Sequence, residues 1–172
     1  MTDLSLTILP ETAGDALAID RLHERTFGPG RYARSAYRIR EGRGHTLALS
    51  FTARIGTLLV GSVRLTPVTV GAAKALLLGP LTVEPPFRER GIGTALIARA
   101  LKDATAQGHK LVLLVGDEPY YAKSGFKKIS KGQVKLPGPV DPERLLVAEL
   151  TVGAFDSTVT GTVKPDWDVP SA

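Results

Sequence analysis

The chain has 172 residues, 43% of them hydrophobic, which suits one domain with a full core. It contains no cysteine, so disulfides, thiolate metal sites and a thiol nucleophile are excluded, and no metal is expected. Twenty-two Lys and Arg against 17 Asp and Glu leave a net charge of +5, which suits a polyanionic cofactor or partner. No apolar run reaches the roughly 18 residues of a membrane span. The first residues, with Asp3, Glu11 and Asp15, lack the apolar stretch of a signal peptide. A cytoplasmic domain without a membrane partner is expected.

Leu4 to Leu9 reads as a first strand. Thr12 or Asp15 can cap a helix to about Phe27, with Ala16, Ile19, Leu22 and Phe27 on one face. Gly28-Pro29-Gly30 breaks it. A second helix over Arg31 to Glu41 aligns Arg31, Arg34 and Arg38, either as a solvated basic face or as an anion-selecting one. Thr46 to Thr52 and Gly56 to Leu65 have the mixed pattern of an antiparallel hairpin turning at Arg54-Ile55-Gly56. Pro67 donates no ladder hydrogen bond and predicts an edge or bulge there. Ala75 to Val83 is the central strand, and Gly79-Pro80 inside it predicts a bulge that re-aims it.

Behind that strand come Glu84-Pro85-Pro86 and then Arg88, Gly91 and Gly93 in the order R-x-x-G-x-G. Ile92 to Gln107 follows as a helix with a buried stripe of Leu96, Ile97, Ala100, Leu101 and Ala104, stopped by Gly108. A glycine-rich turn at a helix N-terminus is an anion site, because the first turn leaves backbone N–H groups without intrahelical partners. The dinucleotide fingerprint fails, since its third glycine position is Leu96. The P-loop fails too, since Gly93 is followed by Thr94 and Ala95 without a lysine.

Leu111 to Val115 is apolar throughout, the mark of a strand buried on both faces, and completes a right-handed βαβ unit. Asp117 and Pro119 start a short helix, Tyr120 to Ser124, which Gly125 stops. Phe126 to Ile129 begins another strand. Ser130 to Glu143 reads as a loop, Leu145 to Val152 as a strand and Thr158 to Val163 as a short extra one. Residues 1–163 form the single domain, and residues 164–172 a polar, frayed tail that Trp167 could anchor.

The R-x-x-G-x-G loop resembles the cofactor loop of the GNAT superfamily of acyl-CoA-dependent N-acetyltransferases. About thirty residues on, Tyr121-Ala122-Lys123-Ser124-Gly125-Phe126 is similar to that family's Y-x-x-x-G-F element. The resemblance runs from about Leu77 to Ile129. It implies an α/β (α+β) fold: a GNAT-like mixed, mainly antiparallel twisted sheet with a central βαβ unit and helices on both faces. It implies acetyl-CoA as acyl donor, with the pantetheine arm beside Leu81, Thr82 and Val83 and the phosphates at Arg88, Glu89, Arg90, Gly91, Ile92, Gly93 and Thr94. The implied reaction is direct transfer, in a ternary complex, to a primary amine of a small-molecule or protein acceptor.

Such transfer needs the thioester held against the amine, a donor for the oxyanion and a proton for the leaving thiolate. Tyr121 matches the family's general acid, and a phenol, with a pKa near 10, is protonated at neutral pH. A core tyrosine beside Phe126 is the plainer reading. The base is open. Lys74 to Leu78 carries no carboxylate, Glu84 is a weak candidate that also suits a solvated turn, and His45 is more simply structural. The family's frequent Asn is Leu114 here, seven positions before Tyr121. Two other functions compete: a non-catalytic acyl-CoA-binding regulatory module, and a basic nucleic-acid-binding domain, against which the absence of a reading motif counts. Monomer and homodimer both stay open.

Overall fold

The computed structural model describes residues 5–28, 45–138 and 140–168. The predicted helix with Arg31, Arg34 and Arg38 lies outside them. The elements are β1 (Leu6–Pro10), α1 (Ala16–Phe27), β2 (Phe51–Ile55), β3 (Leu58–Val70), β4 (Ala73–Val83), α2 (Ile92–Ala106), β5 (Leu111–Val115), α3 (Glu118–Tyr121), β6 (Lys127–Lys128), β7 (Val134–Lys135), β8 (Leu145–Glu149) and β9 (Gly161–Pro165). One sheet runs β1-β2-β3-β4-β5-β8-β6, and β9 joins β3 and carries β7. The β4–β5 and β7–β9 pairs are parallel and the others antiparallel.

Each face of the sheet has its own core. On one face α2 lays Leu96, Ile97, Ala100 and Ala104 on Phe51, Val63, Leu65 and Leu76, all buried. A fully buried leucine such as Leu96 contributes about 2–3 kcal/mol. Leu101, predicted in the stripe, is only partly buried at its edge. The helix packs directly on Gly61, where a Cβ would stand 3.1 Å from Leu96 Cδ1 and also 3.1 Å from the Thr82 carbonyl oxygen of β4. On the other face α1 docks through Ile19 and Leu22 on Leu59. Ala16, predicted for that docking face, is exposed, and His23 is buried instead. Val112 and Leu114 of β5 enter the first core and Leu111 and Leu113 enter another, with Val68, Leu77 and Val163. That is why β5 is apolar at every position.

The bulge predicted at Gly79-Pro80 is present. Val63 pairs with Leu81 and Leu65 with Leu78, so Gly79 and Pro80 together oppose Arg64. Pro67 does not end β3, which continues to Val70. β2 pairs with β3 as far as Val63 and β9 begins at Val68, so Pro67 sits at the changeover, and its carbonyl accepts from the Asp166 N–H at 3.0 Å. Three further sequence expectations change. The start of the predicted Thr46–Thr52 strand is a 3-10 turn, Leu47–Leu49. The predicted 130–143 loop contains β7, which forms only by pairing with a strand distant in sequence. The predicted tail contains the end of β9 and a buried Asp166 held by Lys74 at 3.0 Å, whereas Trp167 is 70% exposed.

Arg64 is itself buried, on the face opposite α2. Its Nε donates to Glu11 Oε1 at 2.9 Å, and the other Glu11 oxygen is 2.6 Å from His45 Nε2. Burial pushes the Glu11 carboxyl up, but hydrogen bonds with His45 and Arg64 and the charge of Arg64 outweigh it and hold it below the usual carboxylate range. A depressed carboxyl stabilises the fold above its unfolded value and loses that contribution as pH falls through the folded value. Glu11→Ala, which strands a buried guanidinium, is expected to cost about 3–5 kcal/mol in denaturant titrations at neutral pH. For Glu11→Gln, the stability deficit relative to wild type should shrink as pH drops below the carboxylate range. A deficit that does not change with pH would mean that the charge of Glu11 contributes nothing.

Candidate active site

β4 and β5 touch in register only at Leu76–Val112 and Leu77–Leu113. Past the bulge β4 follows β3 and leaves β5, opening a gap. The Glu84 N–H donates to the Val60 carbonyl at 2.8 Å. By the alternation of an antiparallel ladder, the backbone groups of Leu81 and Val83 then point away from β3, into the gap. Thr82, between them, turns to the other face and is buried.

The gap opens onto the N-terminus of α2. The loop has two residues in the left-handed region, Glu89 at φ 65° and Gly91 at φ 79°. A glutamate there is strained by about 1–3 kcal/mol. The first intrahelical bond runs from the Ala95 N–H to the Gly91 carbonyl at 3.0 Å, which leaves the N–H groups of Ile92, Gly93 and Thr94 for another partner. The two glycines serve different needs. A side chain at Gly91 would meet no atom, so its requirement is the positive φ. Gly93 has ordinary helical backbone, and a Cβ there would land on the Tyr120 hydroxyl.

Leu81, Thr82, Val83, Arg88, Glu89, Gly91, Ile92, Gly93 and Thr94 all line one cleft of about 750 Å³. Arg90 does not line it. Its guanidinium lies over the Phe87 ring, 5.3 Å from the centroid. Arg88 Nε donates to the Val83 carbonyl at 3.3 Å, tying the loop to the end of β4. Tyr121 also lines the cleft. Its ring packs on Gly116, where a Cβ would overlap it, and meets Phe126 edge-on at 6.0 Å. It is therefore both a packing residue and a cleft residue.

Glu84 does not line the cleft, and its carboxylate is engaged. Arg25 of α1 grips it with Nη2 at 2.7 Å and Nε at 3.1 Å, a two-point pair that ties α1 to the end of β4. His45 is held at Glu11 and does not line the cleft either. Thr26, Phe27, Phe87, Asp117, Tyr120 and Lys123 line it and were missed in the sequence. Tyr120 carried one available signal, since it is the residue next to the motif tyrosine on a one-turn helix. Thr26 and Phe27 reach the cleft only through the docking of α1. Among the described residues no cluster of His, Cys, Asp or Glu could hold a metal, and no helix is long and apolar enough to cross a membrane.

The acetyltransferase (GNAT) family model matches residues 16–126. The chain is 28% identical over 152 residues to the uncharacterized N-acetyltransferase YhbS of Escherichia coli K12, covering 87% of this chain and 90% of the relative. It is 42% identical over 62 residues to the uncharacterized N-acetyltransferase MJ1207 of Methanocaldococcus jannaschii, 31% of this chain and 27% of that one. The structure of E. coli YhbS in complex with CoA superimposes with a TM-score of 0.81 at 25% identity, over 96% of this chain and 92% of that one. A GNAT family acetyltransferase of Brucella melitensis in complex with acetyl-CoA gives 0.62 at 27% identity, over 90% and 100%. The splayed strands, the open helix terminus and the tyrosine turn all fall within the matched span, and the chain belongs to the GNAT family of acetyltransferases.

Proposed function

We propose that this acyltransferase binds acetyl-CoA in the cleft and passes the acetyl group directly to a primary amine bound beside it. The observation that carries this reading is the continuity of the β4–β5 gap with the open first turn of α2. The gap presents strand-edge groups at Leu81 and Val83, which suit the amides of a pantetheine arm. The helix end presents the N–H groups of Ile92, Gly93 and Thr94, which suit a pyrophosphate. The CoA and acetyl-CoA complexes of the two related structures support the same ligand.

In this reading the amine nitrogen attacks the thioester carbon, and a β4 backbone N–H facing the gap stabilises the oxyanion. The C–S bond breaks, and Tyr121 gives its hydroxyl proton to the leaving thiolate. With Glu84 committed to Arg25, the proton lost by the amine is assigned to water in the cleft. Glu84 then serves by fixing the end of β4.

Calorimetric titration with acetyl-CoA, followed by acetyl-CoA consumption across a panel of amines, tests the proposal. Gly91→Val forces a β-branched residue to positive φ, a strain of about 1–3 kcal/mol. It should weaken acetyl-CoA binding roughly tenfold while the circular dichroism spectrum stays that of wild type. Unchanged affinity would reject the loop as the phosphate site. Tyr121→Phe keeps the ring and removes the proton, and should lower kcat about 10- to 100-fold, the low end of acid catalysis, because water substitutes in part. Undiminished turnover, with chemistry limiting the rate, would rule out Tyr121 as the acid.

A further inference from the structure

We propose that Tyr120 is a cofactor-binding residue whose hydroxyl donates a hydrogen bond to the pyrophosphate of CoA at the first turn of α2. The inference rests on the acetyl-CoA reading above and adds a contact that neither sequence motif contains.

Four observations carry it. The Tyr120 ring is positioned from one side, meeting Tyr121 edge-on with centroids 4.9 Å apart and an interplanar angle of 87°. Its hydroxyl rests against Gly93, in the same first turn whose N–H groups have no intrahelical partner. The residue lines the cleft and is 42% exposed, and among the described residues none hydrogen-bonds its hydroxyl. Finally, the glycine at position 93 has no backbone cause. Gly91 needs its positive φ, but Gly93 is helical, and what its missing side chain leaves room for is the Tyr120 hydroxyl.

A phosphate oxygen approaching the N–H groups of Ile92 and Gly93 therefore arrives beside a phenolic donor. An O–H bond to an anion is short and stronger than a neutral one. The nearby Lys123 ammonium adds positive charge at the cleft lining, and the Asp117 carboxylate there is paired with Arg144 at 3.2 Å. The two adjacent tyrosines thereby divide the cleft. Tyr121 stands at Gly116, just past β5, and Tyr120 stands at the helix end.

The test is calorimetric titration of wild type, Tyr120→Phe and Tyr121→Phe with three probes: CoA, dephospho-CoA, which keeps the pyrophosphate but lacks the ribose phosphate, and pantetheine, which lacks both. Tyr120→Phe is expected to weaken CoA and dephospho-CoA binding alike, by about tenfold or more as for hydrogen bonds to charged groups. It should leave pantetheine binding and the thermal midpoint unchanged, and Tyr121→Phe should not reproduce a loss that CoA and dephospho-CoA share and pantetheine escapes. Equal CoA affinity of Tyr120→Phe and wild type overturns the inference. So does a loss that disappears with dephospho-CoA, which would put the hydroxyl on the ribose phosphate, and so does an equal loss with pantetheine, which would make the effect one of packing. A wild-type chain that binds none of the probes overturns the acetyl-CoA reading itself, and this inference with it.

Discussion

The cleft exists because β4 parts from β5, and β4 parts because it carries one residue too many. Gly79 and Pro80 together oppose the single residue Arg64 of β3. An extra residue shifts the side-chain alternation by one and bends the strand that carries it. The core shows the shift. Leu76 and Leu78 before the bulge and Leu81 and Val83 after it all pack toward α2, a spacing that an unbroken strand cannot produce. The core on that side therefore stays closed while the strand edge swings away from β5. Pairing with β5 is exchanged for an open row of backbone groups, and the loop and α2 complete the site at its end.

Opposite the bulge the sheet is polar where sheets are usually greasy. Arg64 and Glu11 are buried there, with the half-buried His45 on Glu11, and Ser62, Thr66 and Thr82 are buried beside them. A buried ion pair is poor evidence for stability, since an apolar set of the same volume often does as well. What this one does is join distant parts. Glu11 follows β1, His45 precedes β2, and Arg64 is the β3 residue facing the bulge. The distortion that makes the cleft is thus referenced to the first strand of the sheet. On the same face Arg25 and Glu84 tie α1 to the end of β4. The two charged contacts hold β4 at its bend and at its end.

The sequence displayed those features whose cause is local. The glycine-rich turn, the apolar stripe of α2, the all-apolar β5 and the Gly79-Pro80 kink each follow from the residues that form them, and each stands where the pattern placed it. Features with a distant cause were hidden. β7 has no strand pattern of its own, and Val134 and Lys135 are extended because Gly161 and Thr162 are beside them. β3 runs through Pro67 because that residue falls between two successive partners. In the site, the glycines could be seen but not their separate reasons, since only the fold brings the Tyr120 hydroxyl to Gly93 and not to Gly91. Glu84 looked like an available carboxylate until Arg25, 59 positions earlier, was found on it.

The changeover on β3 separates the molecule's durability from its chemistry. β9 docks on Val68 to Val70, at the end of β3 away from the residues that pair with the cleft half of β4. Val163 and Val159 seal a core there that shares no buried residue with the one under α2. Distant sites with no common partner contribute additively. The β3–β9 seam is accordingly a place where the lifetime of the enzyme can be raised or lowered while the tyrosines, the glycine loop and the open strand edge keep their geometry.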